Sequence, residues 1–262
     1  MAASIRAFIR LLLFPTITFF CAVATLVLRA LRFRHRTVYR VFAFWRRSMR
    51  WVLNIKVVQE GRIPGDACII MANHRSYLDV VMIPSRTPLV FVAKASVRKW
   101  PIIGWGGDGM KTIWVDRSDA DSRKRTRKRI LARIRQQLSV VIFPEGTTTV
   151  GPELLPFKPG MFHAVAGGMT PIVPVAIEYE NPNIAWVGDD TFIGHFLREF
   201  GARSTEVRVC FGEPMTNDDG ERLCEDVHQW ISDTVRRYRK GYDAFKEVET
   251  HSAPPAIHEN FA

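Results

Sequence analysis

From residue 55 onward the chain carries seven short apolar runs rich in β-branched residues, at 55–58, 67–72, 89–93, 111–115, 140–143, 172–177 and 207–211. Each is too short for a stable helix and is bounded by polar, glycine or proline residues, which is the pattern of strands. Helical patterns lie between them, most clearly over 119–138, where Ile130, Leu131, Ile134 and Leu138 recur on one face. This alternation restricts the fold to an α/β class: a layered mixed β-sheet flanked by helices, with some antiparallel members. No internal repeat is visible, and 262 residues suffice for one sizeable α/β domain plus an appendage.

The appendage is N-terminal. Residues 1–50 hold ten arginines and no acidic residue, so most of the net charge of +11 resides there. The remainder is close to neutral, which argues against a uniformly basic nucleic-acid binder and leaves a non-catalytic membrane-binding module as the reading from a different class. Inside the basic segment, 11–28 is an uncharged, almost wholly apolar run, about 27 Å long as a helix and just short of a hydrocarbon core. A cleaved signal peptide is disfavoured because arginines at 29–36 replace the small-residue cleavage site. Residues 38–53 then mix Phe42, Phe44, Trp45 and Trp51 with Arg40, Arg46, Arg47 and Arg50, a composition suited to a helix in the headgroup layer. Residues 1–54 are therefore expected to anchor the protein to membrane lipids, with the basic flanks placing residues 55–248 on the cytoplasmic side. Residues 249–262, with Pro254 and Pro255, are expected to be an unstructured tail.

Cys21, Cys68, Cys210 and Cys224 show neither close pairing nor metal-ligand spacing. With no H-E-x-x-H, P-loop or G-x-G-x-x-G pattern, neither metal nor nucleotide cofactor is indicated.

The candidate chemistry starts where the second apolar run ends. Asn73-His74-Arg75-Ser76-Tyr77-Leu78-Asp79 follows a strand and leads into a helix expected over 76–83. His74 then sits at a strand-to-helix mouth, and Asp79, in the first turn, can fold back to it. An imidazole with a carboxylate on its second nitrogen can take a proton from an alcohol. The competing use of Asp79 is a capping box with Ser76.

Other polar residues end strands in the same way. Lys94 is suited to a phosphate or a developing oxyanion, and Arg117, after Asp116, presents a planar fork for a phosphate. In Phe143-Pro144-Glu145-Gly146-Thr147-Thr148, Gly146 permits a positive φ and close anion approach, and Glu145 can order basic neighbours or hold substrate hydroxyls. His163 has no acidic neighbour in sequence and reads as structural. The basic face of 119–138 is either solvated or a landing site for phosphates or an acidic carrier protein.

Taken together, four stretches resemble the motif blocks of the glycerophospholipid acyltransferases: residues 73–79 (N-H-x4-D), 109–117, 143–148 and 171–176. The resemblance spans roughly residues 51–240. It implies an O-acyltransferase that moves a fatty acyl group from acyl-CoA or acyl-carrier protein to a lyso-lipid hydroxyl without a cofactor. His74 would be the base and Asp79 its orienter. Lys94, Arg117, Glu145, Gly146 and Thr147 would bind substrate, and Pro174 and Val175 would belong to the acyl-chain pocket. The favoured acceptor is 1-acyl-glycerol 3-phosphate. One departure stands out: the family usually has arginine where this chain has Thr148. That substitution opens a lyso-ornithine or similar lyso-aminolipid as the alternative acceptor.

Overall fold

The computed structural model describes residues 1–252 except Arg117 and Met169. All seven expected strands are present: β1 (Ile55–Glu60), β2 (Ile69–Ala72), β3 (Leu89–Lys94), β4 (Ile113–Val115), β5 (Ser139–Ile142), β6 (Ile172–Tyr179) and β7 (Thr205–Phe211). They form one sheet in the order β1-β7-β6-β2-β5-β3-β4. Every pair is parallel except β6 with β7. The C-terminal ends of β6, β2, β5, β3 and β4 therefore share one edge, where an open α/β sheet offers its crevice.

Helices cover both faces. On one, α1 (Ala2–Ala30), α2 (His35–Leu53), α3 (Asp79–Met82) and α7 (Phe192–Glu199) enclose a core containing Phe14, Met49, Leu53, Val81 and Phe196 against Ile70, Val141, Val175 and Val209. On the other, α5 (Ala120–Arg135), α6 (Phe162–Val165) and α8 (Gly220–Ser252) pack Ile130, Phe162, Val227 and Ile231 onto Met71, Val140 and Ala176. The short α4 (Ile103–Gly109) lies beside α1. Alternate residues of each strand feed opposite cores, as a doubly covered sheet requires.

The N-terminal helices are part of this core rather than an appendage. α1 is long and apolar enough to cross a membrane. Yet Ala7, Arg10, Phe14, Thr18, Ala22 and Thr25 form a buried stripe at helical spacing along it. Close packing explains the small residues: a Cβ on Gly109 of α4 would fall 2.4 Å from the Thr25 hydroxyl. Arg10, in the basic flank just before the apolar run, is buried. It donates to the carbonyls of Val52 (2.9 Å), Phe200 (2.9 Å), Ala202 (2.7 Å) and Arg203 (3.3 Å). Pro15 lies inside the helix. On α2 the exposed positions Arg40, Phe44, Arg47 and Trp51 form a single stripe, whereas Arg46 points inward and donates to the Val81 and Ile83 carbonyls at the end of α3.

Two boundaries differ from expectation. α3 has one turn: it starts at Asp79 rather than Ser76, and it ends at Met82 because Pro84 forces Ile83 into an extended conformation. α8 continues to Ser252, so residues 249–252 of the expected tail are helical, and 253–262 lie outside the described residues.

Candidate active site

The loop after β2 is built around Asn73. Its side chain continues the ladder onto β6: Nδ2 donates to the Ile177 carbonyl (2.8 Å) and Oδ1 accepts from the Ile177 amide (2.7 Å). An asparagine side chain thus replaces a backbone pair just where the strand must stop and turn. His74 follows with its own amide donating to Glu145 Oε1 (2.8 Å) and its carbonyl accepting from the Thr149 amide (3.0 Å). The ring stacks on Phe143, with centroids 4.1 Å apart and planes 14° from parallel.

His74 Nδ1 lies 2.7 Å from Asp79 Oδ2. The carboxylate is completely buried while the imidazole is partly open, at 22% side-chain exposure. Oδ2 also accepts from the amides of Arg75 (2.7 Å) and Ser76 (3.0 Å), and Oδ1 accepts from the Tyr179 hydroxyl (2.8 Å). Four donors hold the acid in place, as a buried charge demands. Burial, and then the Asp79 charge beside it, push the Tyr179 phenol well above its ordinary range, so it stays a proton donor. With Nδ1 taken by the acid, Nε2 is the nitrogen left to meet substrate. The capping-box alternative is half realised: Asp79 accepts from the Ser76 amide, but Ser76 Oγ is buried without a protein partner among the described residues.

A second buried network frames the pair. Arg75, 1% exposed, donates to Glu178 Oε2 (3.1 Å) and Thr149 Oγ1 (2.8 Å). Thr149 Oγ1 in turn donates to Glu145 Oε2 (3.1 Å), which also accepts from the Leu155 amide (3.0 Å). Arg239 of α8 closes the far side on Glu178 Oε1 and the Tyr179 carbonyl (2.6 Å). Glu145 therefore orders a threonine and two backbone amides.

Among the remaining candidate residues, Gly146 adopts φ +81° and donates its amide to the Phe143 carbonyl (3.1 Å). Thr147 is exposed at the same edge. Thr148 donates its hydroxyl to the Trp186 carbonyl. Lys94 is exposed at the end of β3, paired in register with Val115 on β4, so it occupies this edge two strands from β2. Arg117 lies outside the described residues; Asp116 beside it is at the same edge. Pro174 and Val175 are both buried in β6, but on opposite faces: Val175 joins the core under α1 and α2, whereas Pro174 sits near Trp230 of α8 across Gly212. His163 pairs with Glu221 at 3.1 Å in an exposed contact, an acidic partner 58 residues away that its sequence neighbourhood did not offer.

Tyr179 was not singled out in the sequence, and Asn73 and Phe143 were named only as members of motif blocks, without a role. The one available signal for Tyr179 was that the apolar run of β6 ends on Glu178-Tyr179, two polar-tipped residues that are nonetheless buried.

Residues 54–178 match the Acyltransferase family model. The chain is 31% identical over 239 residues to the lyso-ornithine lipid O-acyltransferase of Rhizobium meliloti, covering 81% of this chain and 82% of that one. It is 28% identical to the 1-acyl-sn-glycerol-3-phosphate acyltransferase of Neisseria gonorrhoeae, over 64% of this chain and 69% of that one. The crystal structure of the 1-acyl-sn-glycerophosphate (LPA) acyltransferase PlsC from Thermotoga maritima shares the fold, with a TM-score of 0.65 at 20% identity over 89% of this chain and 98% of that chain. A fold, a motif loop and relatives that agree in this way make the chain a member of the acyltransferase family.

Proposed function

We propose that the protein transfers a fatty acyl group from a thioester, acyl-CoA or acyl-carrier protein, to the free hydroxyl of a lyso-lipid. The observation that carries this is the His74–Asp79 pair, 2.7 Å apart, with its acid buried and its imidazole partly open to solvent. His74 Nε2 takes the hydroxyl proton as the oxygen attacks the thioester carbon. The tetrahedral intermediate collapses with loss of the C–S bond, and the proton passes from Nε2 to the thiolate. Asp79 supports the imidazolium between the two transfers.

The acceptor favoured by the four motif blocks is 1-acyl-glycerol 3-phosphate, giving phosphatidate, in agreement with the name of the Neisseria relative. A specific observation favours a second, lyso-ornithine lipid. Where the family usually has arginine, Thr148 uses its hydroxyl on the Trp186 carbonyl, leaving one phosphate ligand fewer, and the Rhizobium relative bears that activity in its name.

The membrane seat is the outer face of α1, where Phe8, Leu12, Phe20 and Val27 are exposed, with the Arg40–Phe44–Arg47–Trp51 stripe of α2. Because its inner face is packed along its length, α1 lies in the interface beside the domain. The basic N-terminal flanks support a cytoplasmic catalytic domain.

The test incubates full-length protein with labelled acyl thioester and both acceptors side by side, using wild type, Arg117→Ala and Thr148→Arg. A charge-assisted phosphate contact is worth about 1.5–3 kcal/mol, so Arg117→Ala lowers kcat/KM for the lysophosphatidate roughly tenfold or more. Thr148→Arg shifts preference toward the same acceptor. Strong wild-type preference for lyso-ornithine lipid, unaffected by Arg117→Ala, selects the second reading. Acylation of neither acceptor overturns both.

A further inference from the structure

Four basic side chains meet at the edge of the sheet opposite His74. Arg29 is in the last turn of α1, His35 opens α2, Lys111 immediately precedes β4, and Arg133 is in the last turn of α5. These four elements come together only in the fold, and among the described residues no acid joins them. The first acidic residue of the chain is Glu60, and every charged group that perturbs His35, Lys111 or Arg133 is a cation. Both ring nitrogens of His35 and Nε of Arg133 are shielded from solvent without a hydrogen-bond partner among the described residues. Lys111 Nζ donates to a neutral group, Gln136 Oε1, at 3.2 Å. Burial, and then the repulsion of Lys111, Arg29 and Arg133, push the His35 imidazole down to about 4.

A chain that gathers like charges around unpartnered nitrogens has built half of an ion pair. Two guanidinium forks, an ammonium and an imidazole, arriving from four elements, suit an oxyanion with several acceptor oxygens better than a planar carboxylate. The adjoining turn exposes Leu31 and Phe33 between Arg32, Arg34 and Arg36, an apolar tip set among cations as at a headgroup layer.

We propose that Arg29, His35, Lys111 and Arg133 form a phosphate-binding site, separate from the acyl-transfer site and filled at the membrane by the phosphate of an anionic lipid. The lipid source rests on the membrane seat proposed above; the affinity for phosphate does not.

The test follows the imidazole nitrogens of full-length protein, labelled at histidine, in a phosphate-free glycoside detergent, with the His35 signal assigned by His35→Gln. Its titration midpoint is measured in chloride, in inorganic phosphate at matched ionic strength, in micelles containing phosphatidylglycerol, and in micelles given the same negative charge by perfluorooctanoate, a carboxylate that stays ionised through the His35 transition. A bound phosphate opposes the surrounding cations, so the midpoint rises by more than one pH unit with phosphatidylglycerol and less with perfluorooctanoate. In Arg133→Gln the starting midpoint is higher, since a cation is gone, and the further rise on adding phosphatidylglycerol is largely lost; Arg133→Lys restores part of it. Unchanged His195 and His228 signals certify the fold of each variant. A rise with inorganic phosphate as large as with phosphatidylglycerol keeps the site and makes free phosphate its ligand. No rise with either, or an equal rise with perfluorooctanoate, overturns the proposal. Turnover is not read, so this outcome is independent of the acyl-transfer assignment.

Discussion

Replacing Asp79 by asparagine separates two services the acid gives to His74: charge and orientation. In the structure Oδ2 faces three N–H donors, from His74, Arg75 and Ser76, while Oδ1 faces only the Tyr179 hydroxyl. An asparagine here has one satisfiable orientation. Its oxygen must take the three-donor side, and its NH2 then meets a hydroxyl that can accept as well as donate. His74 keeps its proton on Nδ1, so the reactive tautomer survives and only the charge is lost. Exchanging a charge-assisted hydrogen bond for a neutral one removes about 1–1.5 kcal/mol. A full Coulombic loss at roughly 4 Å with an effective dielectric of 20 gives about 4 kcal/mol as an upper bound. Asp79→Asn should therefore lower kcat by roughly 10- to 10³-fold, short of the ~10⁴ that a reversed tautomer imposes in serine proteases. The assay is thiol release from the acyl thioester at saturating acceptor, with urea unfolding to confirm the fold. Adding Tyr179→Phe to Asp79→Asn strands the new NH2 in the core and should destabilise by more than the sum of the single changes. A loss of 10⁴ or more for Asp79→Asn alone, equal to that of His74→Ala, would show that the amide turns its NH2 toward His74 and that the three amides do not fix it.

His74→Ala should lower acyl transfer by at least about 10²-fold with folding and vesicle binding intact; near-normal turnover in a folded variant refutes the mechanism. Phe44→Ser with Trp51→Ser should weaken vesicle co-sedimentation by roughly 30-fold or more while thermal stability hardly moves, because both side chains are exposed. Equal binding would place the membrane contact elsewhere. Arg10→Met should destabilise the whole domain by about 3 kcal/mol or more in urea, since four carbonyls lose a charged donor. A merely local effect, confined to hydrogen exchange in α1, would mean that α1 is not part of the cooperative unit. Gly151 has φ +82°, and a Cβ there would lie 2.3 Å from Arg75 Nη2. Gly151→Ala should thus cost about 2 kcal/mol or more of stability and disturb Arg75, and a wild-type melting temperature would contradict the packing described.

The strands were legible because each is a short apolar run that cannot satisfy a helical period, and every one formed. Their order was not legible, since β6 and β7 read alike although one runs against the other. The His74–Asp79 pair could be found because a five-residue spacing keeps it local. Tyr179, which holds the other oxygen of the same carboxylate, is 100 residues further on, and only the β2–β6 register brings it there. Charge patterning misled at Arg10 and Arg46. In sequence they belong to a basic flank, yet both guanidinium groups face backbone carbonyls inside the domain. Composition records a charge but not the carbonyls that surround it. Removing residues 1–50 would consequently strip Phe14 and Met49 from the main core and is no clean test of anchoring.

The Arg75–Glu178–Arg239 network also sets an order of events in synthesis. His74 leaves the ribosome early, but Asp79 gains its fourth donor only when residue 179 arrives, and Glu178 gains its second arginine only with residue 239, far along the last helix. Contacts this distant in sequence close late and slowly. The apolar helix α1 precedes all of these residues in the chain. A growing chain thus presents α1 long before the donors that fix the His74–Asp79 pair are in place, so the membrane seat proposed for α1 and α2 is synthesised ahead of the site it would serve.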